Sequence, residues 1–187
     1  DRTAVKYMTQ DERLEYLIRY LLSERREYAG IAMPGSVDER RRLLRALMNV
    51  RAPEPVSAEF LAVQDEYLRE RLTERGVQRV EDLQPAEPGI YLWQGDITTL
   101  SADGIVNAAN SGMTGCYVPC HGCIDNAIHS AAGLQLRDEC AEIMRAQGRP
   151  EPAGRAKLTR AYNLPARYVL HTVGPIVGRW VTWKDRR

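Results

Sequence analysis

Three of the chain's four cysteines and one of its three histidines fall within eight residues, Cys116-Tyr117-Val118-Pro119-Cys120-His121-Gly122-Cys123. Thiolates and imidazoles this close in sequence can converge on one metal ion. The segment reads two ways. As C-x4-H-x-C it offers Cys116, His121 and Cys123 to zinc and leaves a fourth tetrahedral position open, the arrangement of a catalytic zinc. As C-x3-C-x2-C it has a spacing that holds an iron–sulfur cluster in radical enzymes. That second reading needs a loop after the first strand of a large barrel, and too little chain follows to build one. It also leaves His121 without a role. The expectation is one zinc ion per chain. Cys120 is expected outside the ligand set, because ligation by both Cys120 and its neighbour His121 is sterically awkward. The bland alternative is a set of unligated buried thiols. The interleaved Gly and Pro argue against it by keeping the loop near the surface.

The flanks of this loop are polar. Asn107-Ala108-Ala109-Asn110-Ser111 stands at a strand exit, with Gly112 and Gly115 beyond. Asn side chains both donate and accept. One such Asn would most simply cap a turn, whereas two at a strand exit tilt toward a polar ligand site. Asp125 follows the last cysteine at the start of a helix. Spacing leaves it either an N-cap or a carboxylate beside the metal, orienting a hydroxyl or taking a proton. His129, one turn on and on the same face, reads as packed, as does His171 among apolar strand neighbours. Cys140 reads as a small buried apolar residue.

These residues need elements to position them. Leu14, Leu17, Ile18, Leu21 and Leu22 form one apolar stripe of a first helix. After Pro34-Gly35, Ser36 and Glu39 form a capping box for a second helix burying Leu43, Leu44, Leu47 and Met48. Arg40, Arg41 and Arg42 beside it read as a solvated face. A third helix runs from about Ser57 to Gly76, with Phe60, Val63 and Tyr67 on one side. Pro85-Ala86-Glu87-Pro88-Gly89 reads as a linker. Beyond it, strands are expected at Ile90–Gln94, Gly104–Ala109 and Tyr168–Val173, and a helix from Ile124 to Gln147 broken at Gly133. Gly148 to Gly154 reads as a loop. Strands alternating with helices predict an α/β fold with a mainly parallel sheet and ligands at the strands' carboxyl ends.

The composition is ordinary for a globular chain: 187 residues, 44% hydrophobic, 27% charged, net charge +1. That balance gives no electrostatic reason to expect nucleic acid or an anionic membrane. No apolar run approaches the ~18 residues of a membrane span. Clustered cysteines without a secretion pattern point to a reducing, cytoplasmic setting.

The runs Gly95-Asp96-Ile97-Thr98, Asn107-Ala108-Ala109-Asn110-Ser111, Asp125-Asn126-Ala127-Ile128-His129-Ser130-Ala131-Ala132-Gly133 and His171-Thr172-Val173-Gly174-Pro175 resemble the macrodomain family, whose members bind ADP-ribose. The segment from Gly115 to Asn126 further resembles a zinc-dependent microbial branch, in which a metal-binding loop replaces the usual glycine-rich one. Arg42 to Arg51 and the Pro53/Pro55 segment resemble that branch's helical extension. The resemblance implies residues 1–85 as extension and 86–187 as the N-terminal portion of a macrodomain with a mixed, mostly parallel sheet. It implies that Asp96 accepts the adenine amino group, that Ile97 lines that end, and that Asn107, Asn110 and Ser111 lie at the ligand. It gives Asn110 and Asp125 catalytic places beside the distal ribose, and Cys116, His121 and Cys123 the zinc. After Val181-Thr182 the resemblance stops, and family members continue with a second phosphate-embracing loop. A C-terminal truncation is expected, with an uncovered sheet face and low stability alone.

The expected function is zinc-dependent removal of ADP-ribose from ADP-ribosylated proteins. The resemblance adds a lipoyl-carrier protein modified by a sirtuin-type ADP-ribosyltransferase as partner. The alternative is a non-catalytic ADP-ribose-binding module, or an inactive copy, with a structural zinc.

Overall fold

The computed structural model describes residues 5, 7–178 and 180–183. Three helices come first: α1 (Gln10–Ser23), α2 (Val37–Val50) and α3 (Ala58–Arg75). Each starts on a side-chain cap. Thr9 and Glu12 form a capping box on α1, Ser36 and Glu39 form one on α2, and Ser57 accepts from the Phe60 N–H on α3. Their apolar stripes meet in one core of Leu14, Leu17, Ile18, Leu44, Leu47, Phe60 and Val63. The expected solvated arginine face holds only for Arg42. Arg40 donates to the Pro34 carbonyl and pairs with Glu15, and Arg41 reaches Glu74.

The expected linker and the strand after it need correction. Pro85–Glu87 (β2) pairs antiparallel with Ile90–Tyr91 (β3), after a short β1 (Gln78–Arg79). Pro88-Gly89 makes the turn, with Gly89 at φ 75°, so the segment pairs with itself and not with the main sheet. Leu92 to Gln94 lie outside any strand. A short β4 (Leu100–Ser101) runs parallel to β1.

The main sheet contains β5 (Gly104–Ala109), β6 (Ala156–Arg160) and β7 (Tyr168–Val173) in the order β5-β7-β6. β5 is parallel to β7 and β6 is antiparallel to it, so the sheet is mixed. β6 has no counterpart in the sequence reading. Its charged, exposed residues disguise the alternation, and only Thr159 is fully buried. Helices α4 (Ile124–Ala132) and α5 (Leu134–Gln147), broken at Gly133, cover one face. Ile128, Leu136 and Cys140 pack there on Ile105 and Val169. On the other face Val106, Leu170 and Leu158 line up across the three strands and are exposed.

The two parts are joined by polar side chains. Gly133 has no side chain with which to cap α5. Gln64 of α3 does it instead, its Oε1 accepting the Leu134 N–H at 2.9 Å while its Nε2 donates to Gln135. Asp65 accepts from Gln135 and Asn163 alongside. Gly133 sits at φ 101°, ψ 173°, and a Cβ there would lie 2.6 Å from the Gln64 amide. That backbone region belongs almost only to glycine. Gly133→Ala is expected to lower the unfolding free energy by roughly 1–3 kcal/mol in urea titration. An unchanged midpoint would show that the Gln64 cap does not constrain this corner.

Candidate functional site

The loop between β5 and α4 carries the cysteines. The Nδ1 of His121 lies 3.8 Å from the Sγ of Cys116. The donor atoms of Cys116, His121 and Cys123 all lie within 4.8 Å of one another. A tetrahedral ion about 2.0–2.3 Å from each donor would set them roughly 3.3–3.8 Å apart, so the three fit such an ion with small side-chain movement. Cys123 is also the N-cap of α4, its sulfur accepting the Asn126 N–H at 3.3 Å. The spacing had offered that cap to Asp125. Burial pushes the Cys123 thiol up, the Asn126 N–H opposes this, and the neighbouring Cys116 and Asp125 add to the rise. Cys120 stands apart from the three, its thiol donating to the Arg42 carbonyl at 3.3 Å.

The loop is held at several points from outside. Arg137 of α5, 4% exposed, donates from Nη1 to the carbonyls of Met48, Asn49 and Arg51 at 2.7–3.0 Å. Its Nε reaches the Thr114 carbonyl at 2.8 Å and its Nη2 the Cys116 carbonyl at 3.4 Å. The guanidinium carbon stacks 4.0 Å from the Tyr117 ring centre. Gly115 passes close by at φ 93°, where a Cβ would meet the His129 ring at 3.0 Å. From α2, Asn49 accepts the Cys120 N–H, and Arg45 donates to Asn126 and to the His121 carbonyl. Asn126, fully buried, donates to the Val118 carbonyl. Arg137, Arg45 and Asn49 are absent from the sequence-based site. One signal was available. Arg137, Cys140 and Met144 fall at i, i+3 and i+7, which puts the arginine on the buried stripe.

Asp125 is buried in the first turn of α4, two residues after Cys123. Its Oδ1 accepts from Asn107 Nδ2 at 2.8 Å. Burial raises its pKa, and the Asn107 bond and the Arg137 charge limit the rise. Asn107 is wholly interior, so its amide faces Asp125 and His171 and not a ligand directly. Asn110 sits at the β5 exit, where its side chain accepts from Gly112 N–H and donates to the Gly115 carbonyl, closing the turn that opens the loop. Ser111 is exposed beside it. His129 is packed as expected but not satisfied. Neither ring nitrogen makes a hydrogen bond, and Nε2 stands 3.5 Å from Asp125.

Asp96 follows no sheet strand. It caps the 3₁₀ turn Ile97–Thr99, accepting from the Thr98 N–H and hydroxyl, and pairs with Arg75 of α3 at 3.0 Å. Burial alone would raise its pKa; the Thr98 bonds and Arg75 overcome this and hold it below the ordinary value. Ile97 packs half-buried on the sheet core. Asp96, Thr98, Cys120, Ala127 and Ser130 border a cleft of about 650 Å³, whose other wall is α2 and α3 with Arg42, Arg45 and Arg75. From the cysteine loop only Cys120 borders this cleft; Cys116, His121, Cys123 and Asp125 do not line it.

A family model described as Macro domain matches residues 106–187. The chain is 55% identical over 182 residues to a protein-ADP-ribose hydrolase of Treponema medium, covering 95% of this chain and 70% of that one. It is 52% identical over 168 residues to a protein-ADP-ribose hydrolase of Staphylococcus aureus (strain MRSA252), covering 89% of this chain and 63% of the relative's length. A solved Trypanosoma brucei macrodomain in complex with ADP is 33% identical, with 74% of this chain and 62% of that one covered at a TM-score of 0.49.

Two expectations follow from the geometry. Arg137→Met strips five carbonyls of their donor and should lower the unfolding free energy by about 3 kcal/mol or more. Amide exchange from Gly115 to His121 should quicken, and unchanged exchange there would show that the loop holds itself. The second concerns acid. Burial pushes His129 down to about 3 and His171 to about 4, from 6.5. Below about pH 6.5 the unfolded chain binds protons that the folded one refuses. Stability should therefore fall as the pH drops toward 4, by up to about 1.4 kcal/mol per pH unit for each histidine. Urea titrations at a series of pH values read this directly, and a flat profile would contradict neutral buried histidines.

Proposed function

From the premise that this chain belongs to the macro domain family, we propose that it is a zinc-dependent hydrolase that removes ADP-ribose from ADP-ribosylated proteins. The reading is carried by the convergence of Cys116, His121 and Cys123 two residues before the buried Asp125. Cys116, His121 and Cys123 would hold the zinc, which would supply a Lewis acid beside the distal ribose. Asp96 accepts the adenine amino group, and Ile97 lines that end of the cleft. Asn110 and Ser111 meet the distal ribose at the β5 exit. Asp125 orients the attacking oxygen or takes its proton, and burial makes it a better proton acceptor than a solvated carboxylate. Water adds across the bond between the distal ribose and the modified side chain. The ribose carbon gains the hydroxyl and the side chain leaves with the proton.

The substrate protein is proposed to be a lipoyl-carrier protein modified by a sirtuin-type ADP-ribosyltransferase. The place is cytoplasmic, where thiols stay reduced for a metal. No described helix is long and apolar enough to cross a membrane.

Cys123→Ser is the discriminating variant. Serine keeps a hydrogen-bonding cap on α4 but is a poor zinc ligand. The wild-type chain should carry about one zinc by mass spectrometry and release free ADP-ribose from a modified protein. Cys123→Ser should stay folded and lose both. Full turnover by a metal-free Cys123→Ser protein would remove zinc from the chemistry. Wild-type protein that binds ADP-ribose without releasing it from a modified protein would favour the binding-module reading.

A further inference from the structure

Behind Asp125 runs a row of buried polar groups with no place in the chemistry so far. Asn107 on β5 and His171 on β7 are register partners across the parallel pair. Asn107 Nδ2 lies 2.8 Å from Asp125 Oδ1 and 3.1 Å from His171 Nδ1. His171 Nε2 lies 2.9 Å from the Thr159 hydroxyl on β6. Asn107 and His171 are 0% exposed and Thr159 is 2% exposed.

With the Asn107 amide oriented as it stands, the row takes the following assignment, the Cys140 sulfur lying 3.7 Å from His171 Nε2 alongside it. The Thr159 hydroxyl donates its proton to the Arg160 carbonyl at 3.0 Å, so toward His171 it accepts. His171 then carries its proton on Nε2 and presents a bare Nδ1. The Asn107 amide donates one hydrogen to that Nδ1 and the other to Asp125. Turning the amide over would set its oxygen against both a carboxylate and a lone pair. In the orientation adopted, Asn107 Oδ1 is buried with no hydrogen-bond partner. An unsatisfied buried acceptor costs about 1–3 kcal/mol, so the row is arranged around what the amide hydrogens hold.

A metal site is the competing reading of this region, since donor atoms of His129, Cys140 and His171 lie within 4.8 Å of one another. Both ring nitrogens of His171 already have partners, and the Arg137 charge bears on His129. A cation there would have to break the row and sit beside a guanidinium.

We propose that His171 is a positioning residue, which fixes the Asn107 amide from behind and through it holds the Asp125 carboxylate in its orientation at the start of α4. This rests on the reading of Asp125 as the residue that acts on the substrate. β7 thereby contributes to the site without touching a ligand, and Thr159 selects the tautomer.

Histidine replacements separate the two ring nitrogens. An Asn side chain can set its oxygen where Nδ1 was, whereas Gln reaches the place of Nε2. For the full chain, kcat and KM on an ADP-ribosylated protein and Kd for ADP-ribose would be measured alongside urea unfolding. His171→Asn is expected to keep kcat within about threefold. His171→Gln is expected to lose about 30-fold or more in kcat, with KM and Kd little changed. Thr159→Val should lower kcat several-fold, and Thr159→Ser should restore it. Should the histidine variants fail to fold, the threonine pair and nitrogen NMR of the wild-type ring still decide. His171 must appear as the neutral Nε2–H tautomer. A ring protonated on Nδ1, equal kcat for the Asn and Gln variants, or losses confined to KM would overturn the proposal. Asp125→Ala is the control for its premise. If that variant turns over normally the reading of Asp125 fails, whereas dead Asp125→Ala beside fully active Thr159→Val and His171→Gln refutes the positioning role alone.

Discussion

One guanidinium holds the candidate site together. Arg137 is almost wholly buried, and its forked donors serve five main-chain carbonyls on two separate segments, the end of α2 and the loop that opens at Thr114. A helix C-terminus leaves carbonyls without partners, and a loop crossing a protein interior leaves more. Satisfying both with one rigid cation locks the distance between them. The loop then meets the α2 side chains Arg45 and Asn49 at fixed positions, and these grip the main chain on either side of His121. Arginine suits this task because its planar fork is pre-organised, whereas a lysine would present one mobile point charge.

The dependence explains why the helical part cannot be treated as an appendage. Gln64 caps α5, Asp65 ties Gln135 and Asn163, and Asn49 bonds Ser130. These bonds are buried or half-buried, so separating α1–α3 from the sheet layer would strand donors and acceptors on both sides. The same helices form one wall of the cleft beside Asp96. A division of the chain near residue 85 describes composition well, but the hydrogen bonds run across it.

What the sequence made legible follows from how local each cause was. The helices were readable because period and caps sit within a few residues, as Ser36 with Glu39 demonstrates. Gly104–Ala109 and Tyr168–Val173 were readable as apolar runs ended by turn residues. β6 was hidden because its pairing partner β7 follows it in the chain and its outer residues are charged or exposed. The Ile90 strand was misplaced because Pro88-Gly89 reads equally as linker and as hairpin turn, and only the partner decides. In the site, the three metal-type donors were visible because they are adjacent in sequence. Arg137, Arg45 and Asn49 were not, since the main-chain groups they bind carry no residue identity. Asn110 shows the opposite case: its turn-closing bonds were foreseeable from type and spacing.

The start of α4 brings two ionisable groups together in a way that links loop and helix. Cys123 caps the helix with its sulfur and Asp125 occupies the first turn, so both lie where helical N–H groups favour anions. Burial opposes charge on both, and Asp125 raises the Cys123 thiol further. Ligands of a metal must be deprotonated, so proton loss from Cys123 and cation capture belong to one equilibrium. A cation held by Cys116, His121 and Cys123 would remove the repulsion between Cys123 and Asp125 and draw both toward the ionised state. The uncharged row of Asn107, His171 and Thr159 behind Asp125 fits this arrangement, because it steers the carboxylate with dipoles and adds no further charge to a site already balancing several.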